Sequence, residues 1–98
     1  MGHVYSIQEL KNLLKSVFDK YRVKSAILFG SVAKNTATDK SDVDILVNSG
    51  LKGMAFFGLF EDVVELLNKK VDLIDTSQIE PGSKIEEEIK NTGVLIYE

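Results

Sequence analysis

The sequence predicts a single α/β (α+β) domain, in which a small mixed β-sheet has helices packed on one side. Three observations lead to this prediction. The 98 residues are enough for one hydrophobic core but not for two. Hydrophobic residues make up 44% and charged residues 28% of the chain, as in ordinary globular domains. Segments with helical and strand periodicity interleave, so we expect one domain over residues 1–98 with the order helix, strand, strand, helix, strand, helix, strand.

The first helix is predicted from a capping box followed by an apolar stripe. Ser6 and Glu9 have the spacing at which a serine N-cap and a glutamate satisfy each other's backbone N–H groups. Apolar residues then recur at helical spacing, which indicates one buried face. They are Ile7, Leu10, Leu13, Leu14, Val17, Phe18 and Tyr21.

The next segments alternate between short apolar runs and polar connections. The apolar run Ala26–Phe29 stops at Gly30 and is predicted to be a buried strand. Residues 31–40 are polar and rich in small side chains, which is typical of a loop or a short helical turn. The second strand is predicted over Asp42–Val47, and Asn48-Ser49-Gly50 ends it.

The C-terminal half predicts a second helix, a third strand, a third helix and an edge strand. Val71–Asp75 is the third strand, Ser83 and Glu86 form a second capping box, and Gly93 ends the short acidic helix that follows. Val94–Tyr97 is the possible edge strand. The second helix has a wide apolar face, formed by Phe56, Phe57, Leu59, Phe60, Val63, Val64, Leu66 and Leu67.

Charge and composition limit the classes of function. The net charge is −3 and the isoelectric point is about 5.1, which argues against a polymeric nucleic acid as direct substrate. The chain has no cysteine, no apolar run long enough to cross a membrane and no signal peptide, so we expect a cytoplasmic protein. Met1-Gly2 with Ser6 formally fits an N-myristoylation pattern, although Ser6 is better explained as a helix cap.

Three aspartates are the candidate metal ligands. Strand alternation places Asp42 and Asp44 on one face, where their charges repel each other unless a cation offsets them. Mg²⁺ is commonly held by carboxylates and substrate phosphates, and Asp72 would join the pair if the third strand lies beside the second. Three such carboxylates can hold two metal ions for an in-line displacement at phosphorus. The alternative is that Asp42 and Asp44 are solvated residues at a strand end and that Asp72 is a surface or capping residue. Asp75 competes for this role, but alternation places it on the face opposite Asp72.

Gly30-Ser31 is the candidate phosphate clamp. A glycine directly after a buried strand lets the backbone approach a ligand closely, and the serine and a helical turn offer a hydroxyl and free N–H groups. The alternative is an ordinary strand-to-helix turn. A phosphate clamp and a carboxylate metal site are together the two halves of a nucleoside triphosphate site.

These residues resemble a known family. Gly30-Ser31, followed after ten residues by Asp42-Val43-Asp44, resembles the signature of the DNA polymerase β-like nucleotidyltransferases. The stretch from Gly30 to Val47, with Ser41 directly before the first aspartate, resembles the minimal nucleotidyltransferase (MNT) domains of antitoxin type. The resemblance implies the nucleotidyltransferase fold, with Asp72 as the third carboxylate. It implies catalytic and metal-binding roles for Asp42, Asp44 and Asp72, and nucleotide-binding roles for Gly30, Ser31, Lys34 and Ser41.

Two residues of the loop depart from the family pattern of arginine and then glycine. Lys34 keeps the positive charge but lacks the planar, bidentate guanidinium of arginine. Asn35 replaces the glycine, and asparagine is the residue that best tolerates a positive φ in its place. Both departures leave the strength of triphosphate binding open.

The resemblance implies transfer of a nucleoside monophosphate, AMP from ATP, to a hydroxyl with two Mg²⁺ ions as cofactors. Larger relatives carry a second domain for the acceptor, and this chain has no room for one. Small members are paired with a helical HEPN-type protein in toxin–antitoxin modules, so we expect a HEPN-type partner, which the aromatic side chains of Phe56, Phe57 and Phe60 could contact. The alternatives are a catalytically weak or inactive antitoxin that acts by binding alone, and an unrelated α/β domain.

Overall fold

The computed structural model describes residues 3–98, so Met1 and Gly2, and with them the start of the myristoylation pattern, lie outside the described residues. The predicted order of elements is confirmed. The short helical turn predicted as one alternative for residues 31–40 forms and begins one residue earlier, at Gly30, and a 3₁₀ turn follows the third strand. Within residues 3–98, no helix is long and apolar enough to cross a bilayer. The elements are α1 (Ile7–Lys20), β1 (Ser25–Phe29), α2 (Gly30–Ala33), β2 (Val43–Asn48), α3 (Met54–Leu67), β3 (Val71–Asp75), the 3₁₀ turn (Thr76–Gln78), α4 (Lys84–Thr92) and β4 (Val94–Tyr97).

The four strands form one mixed sheet, as the sequence predicts, and their order in the sheet is β3-β2-β1-β4. β1 is antiparallel to both β2 and β4, whereas β2 and β3 are parallel. A parallel pair needs a crossover connection, and α3 supplies it between β2 and β3. The crossover places the beginnings of β2 and β3, with their aspartates, at the same end of the sheet.

The core lies between one face of the sheet and the helices α1 and α3. Apolar positions of α1 and α3 meet alternate residues of all four strands, which is the packing that the two periodicities require. The stripes predicted for these helices are narrower than expected, because Leu13 and Leu66 are exposed. The core residues are Leu10, Leu14, Phe18, Val23, Ala26, Leu28, Val32, Val43, Ile45, Val47, Leu59, Val63, Leu67, Val71, Leu73 and Ile96.

The predicted helical layer on one side of the sheet consists of α1 and α3, whereas α4 lies on the opposite face. α4 contacts β1 and α2, and its Ile89 lines a groove together with Leu46 of β2. Because strand side chains alternate, Leu46 points away from the core face that holds Ile45 and Val47. Leu46 is nevertheless buried, so α4 and the segment before it cover part of the second face.

The capping predictions are confirmed in full for α1 and in part for α4. In α1 the Ser6 hydroxyl accepts a hydrogen bond from the Glu9 N–H at 3.0 Å, and the Glu9 carboxylate accepts from the Ser6 N–H at 2.9 Å. In α4 the Ser83 hydroxyl accepts from the Glu86 N–H as predicted. The Glu86 carboxylate, however, accepts from the Gly82 N–H at 3.0 Å, so the second capping box is not closed.

Candidate active site

Two of the three predicted aspartates lie side by side on the face that carries α4. The parallel register of β2 and β3 pairs Asp44 directly with Asp72, and paired residues project to the same face. Asp42 lies one residue before β2 and two residues before Asp44. Asp72 is exposed, whereas Asp42 and Asp44 are partly buried. The hypothesis that the third strand brings Asp72 to the second is therefore confirmed.

Asp44 is the electrostatic centre of this cluster. Burial raises the pKa of Asp44, and the nearby charges of Asp72, Asp42 and Glu88 raise it further, to about 6. The cation nearest to Asp42 is that of Lys70, an exposed side chain. Its Nζ lies 3.8 Å from Oδ2 of Asp42. An exposed pair at this distance is weak, so the cluster keeps an excess of negative charge.

The chemistry of these side chains fits a divalent cation. Carboxylate oxygens are the ligands that Mg²⁺ prefers, and a cation would remove the repulsion that raises the pKa of Asp44. In the described part of the chain, however, no three acidic or histidine side chains converge closely enough to share an ion. Metal binding by Asp42, Asp44 and Asp72 therefore requires their side chains to turn toward one another, and it stays a prediction.

Gly30 adjoins this cluster because β1 ends beside it. The antiparallel register pairs Phe29 with Asp44, and Gly30 follows with a φ of +75°. A Cβ atom at Gly30 would overlap Oδ2 of Asp44. Glycine is thus required here by backbone conformation and by the carboxylate together, a reason beyond the close approach of a phosphate on which its prediction was based.

Ser31 lies in the first turn of α2, at the edge of the carboxylate cluster. Its carbonyl oxygen accepts a hydrogen bond from the Thr36 N–H at 2.9 Å, which closes the loop after α2. The N–H groups that open a helix have no acceptor within it, so they can bind an anion. The position suits the predicted phosphate contact of Ser31, which stays a prediction.

The other predicted nucleotide-binding residues have partners within the protein. The Lys34 Nζ lies 3.2 Å from Oε2 of Glu88 on α4. The Ser41 hydroxyl accepts a hydrogen bond from the Thr38 N–H at 2.9 Å and so stabilises the loop before β2. Asn35 has a φ of +62°, which confirms that asparagine stands at a position with the conformation of glycine. Nucleotide contacts by Lys34 and Ser41 stay predictions.

Two residues of the site were missed by the sequence prediction, and a competing one was excluded correctly. Glu88 and Lys70 reach the cluster only through tertiary structure, and an acidic helix or a lysine before a strand gives no local signal of that. Asp75 lies on the face opposite Asp72, as alternation predicts. It is buried and accepts hydrogen bonds from the Ser49 and Ser77 backbone and hydroxyl groups.

The chain matches, over residues 12–98, the family described as "Polymerase beta, Nucleotidyltransferase". Curated relatives of Methanocaldococcus jannaschii carry the name "Putative protein adenylyltransferase". One is 43% identical over 75 residues, which cover 70% of this chain and 76% of the relative. Another is 38% identical over 82 residues, covering 76% of this chain and 82% of the relative.

Solved structures share the fold. A chain described as a "putative minimal nucleotidyltransferase" aligns with a TM-score of 0.74 and 22% identity, covering 95% of this chain and 98% of its own. A toxin–antitoxin structure with AMP-PNP aligns with a TM-score of 0.72 and 23% identity. The alignment covers 88% of this chain and 71% of that one. A third structure is that of a tri-AMPylated Shewanella oneidensis HEPN toxin in complex with an MNT antitoxin. It aligns with a TM-score of 0.67 and 21% identity, covering 92% of this chain and 71% of that one.

Proposed function

Because this chain belongs to the polymerase β-type nucleotidyltransferases, in their minimal branch, we propose that it transfers AMP from ATP to a hydroxyl of a partner protein in a metal-dependent reaction. The observation that carries the proposal is the pairing of Asp44 with Asp72 beside Gly30, with Asp42 two residues away. This arrangement concentrates uncompensated carboxylates next to the first turn of a helix. An ATP–metal complex would supply cations for the carboxylates and phosphates for the helix turn.

The carboxylates have separate roles in the proposed reaction. Asp42, Asp44 and Asp72 would hold the Mg²⁺ ions, which supply charge neutralisation at the phosphates when bound. Asp44 is partly buried, and its carboxylate lies against Gly30 at the end of β1. Asp72 is exposed and can accept the proton of the attacking hydroxyl. The hydroxyl oxygen forms a bond to the α-phosphorus, the bond to the bridging oxygen breaks, and pyrophosphate leaves.

The phosphate side of the site is formed by α2 and the loop after it. The N–H groups and hydroxyl at Ser31 hold the β- and γ-phosphates in the proposal, because they open a helix next to the carboxylates. Lys34 adds a positive charge once it exchanges Glu88 for a phosphate. Ser41 acts through the loop, since its hydroxyl already accepts a hydrogen bond from Thr38.

The acceptor that we propose is a Tyr, Ser or Thr hydroxyl on a helical HEPN-type partner. Relatives named as protein adenylyltransferases and the AMPylated HEPN toxin in complex with an MNT antitoxin support this choice. α3 offers a contact surface, because Met54 is 83% and Phe57 is 50% exposed. Of the three phenylalanines from which at least one contact was expected, Phe57 is the exposed one, and Phe56 and Phe60 are partly buried against the core.

A second candidate function is neutralisation of the partner by binding alone, without transfer. Two observations favour it: Lys34 is paired with Glu88, and no three ligands converge on one ion within residues 3–98. A module of this kind would retain the α3 surface and form the same complex. It differs from the enzyme in needing neither Mg²⁺ nor ATP.

The two candidates are separated by transfer from ATP labelled at the α-phosphate. The tagged chain is isolated from its native cells with its bound partner, and label is followed with Mg²⁺ or with EDTA. We expect Mg²⁺-dependent labelling of the partner, lost in Asp44→Asn and retained in Asp39→Asn, a change at an exposed loop aspartate. A stable complex without labelling would favour the binding module, and equal labelling by Asp44→Asn would reject the assigned carboxylates.

A further inference from the structure

We infer that the groove between α4 and the segment after β3 binds the base of the nucleotide whose phosphates lie at the aspartates. The inference rests on the proposed function and adds a subsite to it. The groove encloses about 300 Å³, at the lower end of the range of small-molecule sites. Its lining residues are Leu46, Thr76, Ile79, Glu86, Ile89 and Lys90.

The groove lies on the same face of the sheet as the carboxylate cluster. Leu46 lies two residues after Asp44 on β2, so both side chains project from the same face of the sheet. Two residues of strand span about 7 Å, a separation that a ribose can bridge between an α-phosphate and a base. Thr76 follows β3 in the same direction from Asp72. A nucleotide held by its phosphates at Asp44 therefore reaches this groove with its base.

The lining suits a flat heterocycle. Leu46, Ile79 and Ile89 provide aliphatic surfaces from the sheet, the loop and α4, between which an aromatic ring can be buried. Leu46 is 8% exposed, whereas Ile79 and Ile89 remain partly accessible. Such surfaces exclude a phosphate or a metal ion, because these groups would lose their hydration without compensation.

The rim of the groove carries polar groups that can read the edge of the base. Thr76 contributes an exposed hydroxyl, which can both donate and accept a hydrogen bond. Glu86 and Lys90 contribute an acceptor and a donor, one turn apart on α4, with Oε1 and Nζ 3.8 Å from each other. The Gly82 N–H donates to the Glu86 carboxylate at 3.0 Å and restricts its orientation.

The position of this groove, and not its volume, distinguishes it from other depressions on the protein surface. A larger depression of about 450 Å³ lies between α1 and α3, lined partly by Lys20, Asp62 and Glu65. These helices cover the core face of the sheet, so the larger depression is separated from Asp44 and Asp72 by the sheet itself. The groove beside α4, in contrast, includes Leu46 and so lies on the same face of the sheet as the aspartates.

The test compares binding of ATP with binding of inorganic tripolyphosphate, which has the phosphates but no base. Both are titrated with Mg²⁺ into the wild-type chain, Ile79→Ser, Ile89→Ser and the control Ile85→Ser. Ile85 lies on the same helix as Ile89 and is 38% exposed outside the groove. We expect the ATP dissociation constant to rise about tenfold in the two groove variants and to stay within about twofold in the control. The tripolyphosphate constant should not change in any variant, which also reports that each variant is folded.

Three results would overturn the inference. Equal affinities of the wild-type chain for ATP and tripolyphosphate would mean that the base contributes nothing. Normal ATP affinity in both groove variants, with a raised KM for the protein acceptor, would assign the groove to the acceptor. Failure of the wild-type chain to bind either ligand would reject the proposed function together with its base subsite.

Discussion

The Nζ of Lys34 lies 3.2 Å from Oε2 of Glu88, so the loop lysine expected at the phosphates is paired with a carboxylate of α4. Glu88 also contributes to the raised pKa of Asp44, which places its charge close to the carboxylate cluster. In the proposed site, a triphosphate must therefore compete with Glu88 for Lys34. We expect the glutamate to lower the affinity for nucleotide.

Glu88→Gln should tighten MgATP binding by about two- to fivefold, which corresponds to the free energy of a partly exposed ion pair. The change removes both the competitor of Lys34 and a charge that repels the phosphates. Titration with MgATP measures the effect, and Glu87→Gln on the exposed side of the same helix is the matched control. Weaker binding in Glu88→Gln would show instead that the pair positions Lys34 for the nucleotide.

Gly30→Ala should impair both folding and transfer, because the new methyl group would overlap the Asp44 carboxylate. Gly50→Ala separates this clash from the cost of backbone conformation. Gly50 has a φ of +70°, close to the +75° of Gly30, but no atom lies within 4 Å of its Cβ position. Both changes should cost about 1 kcal/mol for the positive φ.

Gly30→Ala should lose more stability in urea unfolding than Gly50→Ala, and it alone should slow transfer at least tenfold per folded molecule. The displaced Asp44 carboxylate can no longer take its position beside Asp72, which is the reason for the loss. If the two variants unfold at the same urea concentration, Asp44 moves away without cost and the contact with Gly30 has no structural role.

The raised pKa of Asp44 makes the metal-free protein less stable as the pH rises. Its pKa moves from an ordinary value of 3.8 to about 6, so the native state holds the proton more tightly than the unfolded chain does. The free energy of unfolding should fall as the pH rises from about 4 to 6, and then stay constant. Asp44→Asn removes this dependence and should stabilise the protein by about 1–2 kcal/mol at pH 8, after allowance for water at the half-buried side chain.

Urea unfolding in EDTA between pH 4 and pH 8 measures this prediction, with Asp39→Asn as the control at an exposed position. The stability gain of Asp44→Asn should shrink toward zero as the pH approaches 4, because wild-type Asp44 is then protonated. A variant that is less stable than the wild-type protein at pH 8 would mean that the Asp44 carboxylate forms a favourable interaction in the metal-free fold.

Local signals predict most of this fold and part of the site. The cap at Ser6, the alternation around Asp44 and the positive φ of Asn35 depend on neighbouring residues, and all three are confirmed. The pairing of Asp72 with Asp44 needs the register of two strands that are joined through a helix. Periodicity predicts each strand but does not fix which residues stand opposite each other.

Contacts made by α4 could not be predicted from the sequence. Its capping serine and Gly93 mark its ends, but neither shows on which face of the sheet it packs. The Lys34–Glu88 pair and the groove beside α4 both depend on that placement. A surface ion pair contributes little free energy, so it leaves no compositional pattern that distinguishes it from any other solvated charge.

Asp75 stabilises the fold through its charge, in contrast to Asp44. Burial alone would raise the pKa of Asp75, but hydrogen bonds from the Ser77 and Ser49 hydroxyl and N–H groups outweigh it and lower the pKa to about 2. The carboxylate joins the end of β2 to the turn after β3, with the Ser49 and Ser77 hydroxyls at 2.6 and 2.7 Å from its two oxygens. In an asparagine side chain, an NH₂ group would replace one of these two oxygens. It would face the two donors of that oxygen and could not accept their hydrogen bonds.

Asp75→Asn should therefore destabilise the protein by about 2 kcal/mol at pH 7, a typical value for losing hydrogen bonds to a buried charge. The contribution of the Asp75 charge to stability is complete above about pH 4, where an ordinary aspartate is already ionised. It is lost as the pH falls toward 2. The wild-type and Asp75→Asn unfolding curves should converge over that interval. Asp72→Asn is the matched control, because Asp72 lies on the same strand but is exposed, and it should cost no stability. An equal loss in both variants, or a difference that persists at pH 2, would show that the carboxylate charge of Asp75 is not what stabilises this end of the sheet.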